Sequence, residues 1–235
     1  MKRLFMCVNY PLNNPSIGLS KKIKMQIEAF ESLGYDVFYS AYIENGVAIF
    51  HKNEILLKQN YKSQTLNNLL RRFQLMHLCK RFIKTQRFKL GFLRWDAVDK
   101  TFLDIVKLLD KNCDKVLMDC HGYFKGYNIP GLKGYYTKYM TILNSNKLSK
   151  YIDFCLTESK NNQVFNIPAM CIDTGITIDN YKLHQYMGDK NELNMISVAT
   201  ETIYHGYDRI IQGLYEFKKN HKEKVYLHFV GKVSD

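Results

Sequence analysis

The stretch "RLFMCVNYPLNNPSIGLSKKIKMQIEAFESLGYDVFYSAY" (Arg3–Tyr42) decides the fold. Arg3–Asn9 is a short apolar run suited to a buried strand. A polar loop with Pro11, Pro15 and Gly18 follows. Ile23, Ile27, Phe30 and Leu33 then recur at helical spacing, and Gly34 stands where a helix C-cap glycine belongs. Tyr35–Tyr42 supplies the next strand. A strand, a loop, a helix, a glycine and a strand in that order open a βαβ unit, which predicts a parallel, doubly wound α/β sheet.

The rest of the chain extends this pattern. Gly46–Gln59 reads as a hairpin turning at His51–Glu54. From Leu66 to Ile83 apolar residues recur every three or four positions with basic residues between them, a basic amphipathic helix or helix pair. Lys89–Trp95 reads as a strand, Asp99–Asn112 as a helix and Lys115–Cys120 as a strand. A loop leads to a helix around Tyr135–Leu148. Tyr151–Ser159 is a strand, Asn161–Asn166 a helical turn, and Ala169–Ile176 a short strand running into a loop. A new unit starts near Asn191: strand Asn194–Ala199, helix Tyr207–Asn220 with Ile211, Leu214 and Phe217 as its packing stripe, and strand Lys224–Gly231. The expected domains are therefore 1–190 and 191–235. Because parallel sheets are normally covered on both faces, a lone βαβ unit needs either the first domain or further chain against it, and we expect the natural protein to continue past Asp235.

Composition narrows the function classes. Apolar residues make up 46% and charged residues 24% of the 235, as in ordinary globular domains. Six scattered cysteines lack CxxC or zinc-like spacing and read as reduced, buried thiols of a cytoplasmic protein. No apolar stretch reaches the length of a membrane span, and the N-terminus lacks a signal-peptide h-region. The formal net charge of +12 is concentrated. Between Ile55 and Trp95 there are Lys58, Lys62, Arg71, Arg72, Lys80, Arg81, Lys84, Arg87, Lys89 and Arg94, and no acidic residue. The segment 58–94 suits an anionic membrane surface or a solvated basic helix face. Nucleic acid is not the expected partner, because no helix-turn-helix, zinc module or RNP-like aromatic pattern accompanies the charge.

Chemistry in an open parallel sheet belongs beyond the carboxyl ends of the strands. Four such places stand out. Gly18 either helps a long loop to turn or lets backbone approach a ligand; it is not part of a GxGxxG fingerprint. Arg94, near a strand end, is either a surface cation or an acceptor- or phosphate-binding residue. His121, followed by Gly122, is either a plain loop histidine or a donor to a sugar hydroxyl and proton-transfer group. The loop ending in His205-Gly206 precedes a helix whose free N–H groups and dipole favour an anion. No Walker A, HExxH, GxSxG or paired-carboxylate pattern is present, so a metal or a catalytic triad is not expected.

The stretches "PSIGLSKKIKMQIEAFESLGYDV" (Pro15–Val37), "IPAMCIDTGITID" (Ile167–Asp179) and "ISVATETIYHGYDRIIQGLYEF" (Ile196–Phe217), with "VYLHFVG" (Val225–Gly231) after it, resemble GT-B glycosyltransferases of the retaining family four group, of bacterial capsule and exopolysaccharide type. The resemblance covers most of the chain and is strongest at its two ends. It implies two Rossmann-like domains, the first holding the acceptor and the second a nucleotide-diphosphate sugar, with transfer to a hydroxyl of a glycan or lipid-linked acceptor under retention. No metal or other cofactor is implied. Gly18, His205, Gly206 and Gly231 would face the donor, and His121 the acceptor cleft. The implied location is cytoplasmic, at the inner face of the membrane. Two departures stand out. Relatives carry Lys before the glycine and Arg a few residues earlier, where this chain has His205 and residues of Val198–Thr202. The family's Glu-x7-Glu motif would fall beyond Asp235. A non-catalytic, transferase-like module that binds a nucleotide or glycan is the alternative.

Overall fold

β1 (Lys2–Cys7) sends Leu4 and Met6 to one side and Phe5 and Cys7 to the other, and all four are buried. Both faces of this strand are therefore covered, the signature of a strand inside a parallel sheet. The computed structural model describes residues 2–13, 18–61, 67–120, 131–172, 192–198 and 206–231. They fall into two compact units, Met1–Thr174 and Gly175–Asp235.

In the first unit β1 is followed by α1 (Gly18–Ser32), β2 (Tyr35–Ile43), β3 (Gly46–His51) and β4 (Glu54–Asn60). Then come α2 (Asn67–Ile83), β5 (Phe88–Arg94), α3 (Lys100–Asn112) and β6 (Cys113–Asp119). α4 (Leu132–Asn144) runs into a 3-10 turn (Ser145–Lys150), and β7 (Phe154–Thr157), β8 (Gln163–Val164) and β9 (Ile167–Cys171) complete the unit. The strands form one sheet in the order β4-β3-β2-β1-β5-β6-β7-β9-β8. Every pairing from β2 through β9 is parallel, while β3, β4 and β8 add antiparallel edges. This is the expected α/β, doubly wound, Rossmann-like sheet.

Two apolar layers hold it. Ile23 and Ile27 of α1 pack with Leu4, Met6, Val37, Tyr39 and Phe92 on one face. On the other, Leu75, Cys79 and Phe82 of α2 and Phe102, Ile105 and Leu109 of α3 pack with Phe5, Phe38 and Phe88. α1 ends as expected: Gly34 has φ +80, and its N–H donates to the Glu31 carbonyl at 2.9 Å. The β3–β4 hairpin turns on Lys52 and Asn53, both with positive φ, as a two-residue primed turn requires.

Two expectations are corrected. Asn161–Asn166 is not a helical turn. Phe165 and Asn166 take φ of 54 and 59 and close a second tight hairpin between β8 and β9, and asparagine tolerates that region because its short polar side chain bonds locally. Cys171 is exposed instead of buried.

Part of the charge of the basic segment is answered within the unit. Arg72 pairs with Asp96 and Asp99, Lys80 with Asp104, Lys89 with Asp114 and Arg94 with Asp119. The aspartates of α3, β6 and their leading loops lie beside α2 and β5 and pair with these four cations. The apolar face of α2, including Leu75, Met76, Leu78, Cys79, Phe82 and Ile83, is buried in the core. Leu70 and Phe73, nearer its start, are exposed.

The second unit contains β10 (Glu192–Val198), α5 (Tyr207–Asn220) and β11 (Lys224–Val230), with β10 and β11 parallel in register from Glu192↔Lys224 to Val198↔Val230. It is a βαβ unit as read from the sequence. The half-buried stripe of α5 is Tyr207, Ile210, Leu214 and Phe217; Ile211 faces solvent. Tyr207 meets Phe229 edge-on at 4.8 Å.

Candidate functional site

The strand order reverses between β1 and β5: the chain leaves β1 toward β2 on one side, and leaves β5 toward β6 on the other. Open α/β sheets bind ligands above such a pair of carboxyl ends. The described residues there are Val8–Asn13 after β1 and Trp95–Asp99 after β5.

A hydrogen-bonded network crosses this point. Asn9 donates from Nδ2 to Asp96 Oδ2 at 2.8 Å, tying the β1 loop to the β5 loop. Arg72, from the neighbouring turn of α2, donates from Nε to the same Asp96 oxygen at 2.5 Å. Its Nη1 reaches Asp99 Oδ2 at 2.7 Å, and Nη2 reaches the Ala97 carbonyl at 3.0 Å. Tyr136 of α4 donates its hydroxyl to Asp99 Oδ2 at 2.9 Å. Asp99 is also the N-cap of α3, accepting from Phe102 N–H at 2.9 Å. One arginine thus holds two carboxylates and a carbonyl in fixed positions, and α2, α3, α4 and both switch-point loops share a single network.

The electrostatics follow from burial and pairing. Burial alone pushes Asp99 up, but the Arg72 hydrogen bonds, the Phe102 N–H and the Tyr136 hydroxyl hold it below the ordinary carboxylate value. Burial pulls Arg72 down, and Asp96 and Asp99 more than reverse this, so it stays charged. Burial, then the Asp99 hydrogen bond, raises Tyr136 and keeps it protonated as a donor. Burial and the Asp96 charge likewise raise Tyr42, beneath the same loop. Beside these two carboxylates and one guanidinium, the Arg71 guanidinium lies 4.9 Å over the Tyr42 ring. The carboxylates of the network can accept hydrogen bonds from hydroxyl groups.

One strand over, Arg94 ends β5 opposite Asp119 of β6 and donates from Nη1 to Asp119 Oδ2 at 2.7 Å. The Asp119 side chain is 0% exposed and that of Arg94 12%, so Arg94 is an inward ion-pair member, not a surface cation. Asp119 leads into His121, which lies outside the described residues, as does His205.

Gly18 opens α1, and a Cβ built there meets nothing within 4 Å. Neither packing nor a positive φ calls for glycine at that position. Gly206 differs: it is the N-cap of α5 with φ 64 and ψ 37, a left-handed conformation natural to glycine. No side chain caps the helix, and the N–H groups of Arg209 and Ile210 turn back to the Gly206 carbonyl at 3.0 and 3.1 Å. Gly231 follows β11 directly. Because Val198 and Val230 are register partners, the loop toward Gly206 and Gly231 leave the same end of the parallel pair. The topology thus groups Gly18 with Arg94 at one sheet end of the first unit, and Gly206 with Gly231 at one sheet end of the second.

Asn9, Arg72, Asp96, Asp99 and Tyr136 were not singled out by sequence reasoning. The one local signal was Asp99 immediately before an apolar helical run, an N-cap pattern. Among the described residues no cluster of His, Cys, Asp and Glu is placed to hold a metal ion, and no helix is long and apolar enough to cross a membrane.

No protein-family model matches the chain, and no curated protein matches it in sequence. Among solved structures it is similar to the crystal structure of Acinetobacter baumannii MurG, at 9% identity and a TM-score of 0.44, over 100% of this chain and 68% of that one.

Proposed function

We propose that the chain is a glycosyltransferase of GT-B type that moves a sugar from a nucleotide-diphosphate sugar to a hydroxyl of a glycan or lipid-linked acceptor, with retention, in surface polysaccharide synthesis. The observation that carries this reading is the pairing of a complete switch-point sheet with a second parallel βαβ unit. The helix of that second unit opens on left-handed Gly206 without a side-chain cap. The sequence resemblance supplies the sugar nucleotide; the geometry supports two different kinds of site.

In this reading the first unit takes the acceptor. Asp96 and Asn9 accept from and donate to its hydroxyls, and Tyr136 stands beside them. Arg72 fixes these groups before the ligand arrives, so little reorganisation accompanies binding. Arg94 acts through Asp119, holding the strand end that leads to His121, and does not contact phosphate itself. His121 stands at the acceptor hydroxyl for hydrogen bonding and proton transfer. The second unit takes the donor: first-turn N–H groups of α5 and His205 meet the diphosphate, with Gly206 at the helix entrance and Gly231 at the same end of the strand pair. Gly18 would let backbone approach a ligand at the carboxyl ends of the first unit's strands.

Calorimetric titration with UDP-glucose, UDP-N-acetylglucosamine and GDP-mannose tests this. One of them should bind, and His205→Ala should weaken it about tenfold, the loss of one charge-assisted hydrogen bond. Unchanged affinity in His205→Ala would remove the donor assignment. Binding without sugar transfer to any acceptor pool would leave a nucleotide- or glycan-binding module in place of an enzyme.

A further inference from the structure

α4 is built inside out. Its outward residues are Leu132, Tyr135, Tyr139, Ile142 and Leu143, exposed by 89%, 75%, 60%, 59% and 53%. With Tyr136 they occupy an arc of about 120° at 100° per residue. Its inward face carries Gly134, Thr137 and Thr141, all buried, and the half-buried Asn144. The Thr141 hydroxyl is 0% exposed with no hydrogen-bond partner among the described residues. A helix on the surface of a water-soluble domain normally shows the opposite polarity. Five large apolar side chains on one described helix form a contiguous patch, which marks an interaction surface.

The charge around the patch selects the partner. From Leu132 to Lys150 the sequence has Lys133, Lys138, Lys147 and Lys150 and no Asp or Glu. Lys138, Lys147 and Lys150 are exposed. A second copy of the chain docking on this face across a twofold axis would bring lysines toward lysines with no carboxylate between them. An anionic lipid surface complements all of them at once. Tyrosine rings settle at the headgroup level, Leu and Ile side chains reach the acyl boundary, and lysines meet lipid phosphates. α4 is about 20 Å long, suited to lying in the interface and too short to span it.

We propose that α4 and the 3-10 turn after it dock the protein, flat, on an anionic bilayer. The docking surface is thus α4 and not the basic segment of α2, whose apolar face is buried and whose outer stripe beyond Phe73 is His77, Arg81 and Lys84. Tyr136 belongs to the same helix and donates to Asp99, so docking holds the switch-point network at the membrane, within reach of a lipid-borne hydroxyl. The docking itself does not rest on glycosyl transfer, and vesicle binding is measured without nucleotide, so the two readings fail separately.

The test is flotation of the full chain with vesicles of phosphatidylcholine alone or with added phosphatidylglycerol. The wild type should float with the anionic vesicles only. L132S/Y139S/I142S should lose at least about tenfold in apparent affinity, while R81E/K84E on α2 keeps most of it. As an independent reading, Y139W should shift its fluorescence to shorter wavelength when anionic vesicles are added. The proposal is overturned by absent flotation of the wild type, by equal binding of neutral vesicles, or by undiminished binding of a folded triple variant. Loss of binding in R81E/K84E alone would move the surface back to α2. A wild-type dimer that the triple variant converts to monomer would assign the face to a second copy. Should the triple variant misfold, an unshifted Y139W spectrum decides against the proposal.

Discussion

Asp99→Asn tests the network at the switch point most directly, because the substitution keeps the shape and changes one atom's role. Asp99 is 4% exposed and accepts four hydrogen bonds: from Phe102 N–H and Arg72 Nη2 on Oδ1, and from Arg72 Nη1 and the Tyr136 hydroxyl on Oδ2. An asparagine that keeps its carbonyl on the Oδ1 side preserves the helix cap, since Asn caps about as well as Asp. Its amide then faces Arg72 Nη1, donor against donor. Tyr136 can rotate its hydroxyl to accept, so that contact costs little. The charge-assisted bond is lost, worth about 1.5–3 kcal/mol, and Arg72 is left with Asp96 as its one carboxylate partner in the network. The sum is about 3 kcal/mol. In a unit of this size that corresponds to a Tm lower by about 6–12 °C. Asp99→Ala also removes the cap, adding about 1 kcal/mol.

The pH dependence has a definite sign. A carboxylate held below its ordinary value of 3.8 contributes stability that is fully present above that value and is lost as pH falls through the lower native one. The gap between wild type and Asp99→Asn should therefore be constant from about pH 5 to 8 and close below pH 3.8. Thermal unfolding followed by far-UV circular dichroism across that range measures both quantities. A shift below about 2 °C at pH 7, or a gap that widens toward acid, would refute the account of Asp99 as a buried, ionised, Arg72-bound carboxylate.

Two further substitutions probe the frame around the site. Arg94→Met removes the Nη1 donor from the fully buried Asp119 side chain and should cost about 2–4 kcal/mol by urea unfolding; a cost under about 0.5 kcal/mol would return Arg94 to the class of surface cations. Gly91→Ala places a Cβ 2.9 Å from Cys113 Sγ and 3.2 Å from Leu109 Cδ2, forcing α3 off β5, and should cost about 1–3 kcal/mol. Unchanged stability there would mean that α3 packs more loosely on the sheet than these distances imply.

How legible the protein is in its sequence depends on the range of the interaction. The first βαβ unit, the β3–β4 hairpin and the α5 unit are written in local signals: apolar period, Gly34 after a helix, a tight turn between two strands. The helical turn expected at Asn161–Asn166 failed because a run of small polar and apolar residues carries no decisive period, and the left-handed pair at Phe165 and Asn166 emerges only when β9 pairs back on β8. The concentration of positive charge was visible, but its meaning was not. Lys80 meets Asp104 and Arg72 meets Asp99 across 24 and 27 residues, and only the packing of α2 beside α3 brings them together.

The sequence by itself determined the α/β class, the order of strands and helices outside the β8–β9 hairpin, and the candidate loops, because backbone propensity and side-chain periodicity act over a few residues. The tertiary structure alone decided which charges pair, that Arg94 turns inward to Asp119, and that Asn9, Arg72, Asp96, Asp99 and Tyr136 share one hydrogen-bond network. It also decided that α4 turns its apolar face outward. Those facts depend on which surfaces meet, and the strand order that brings them together is set by contacts between segments distant along the chain, which no local pattern encodes.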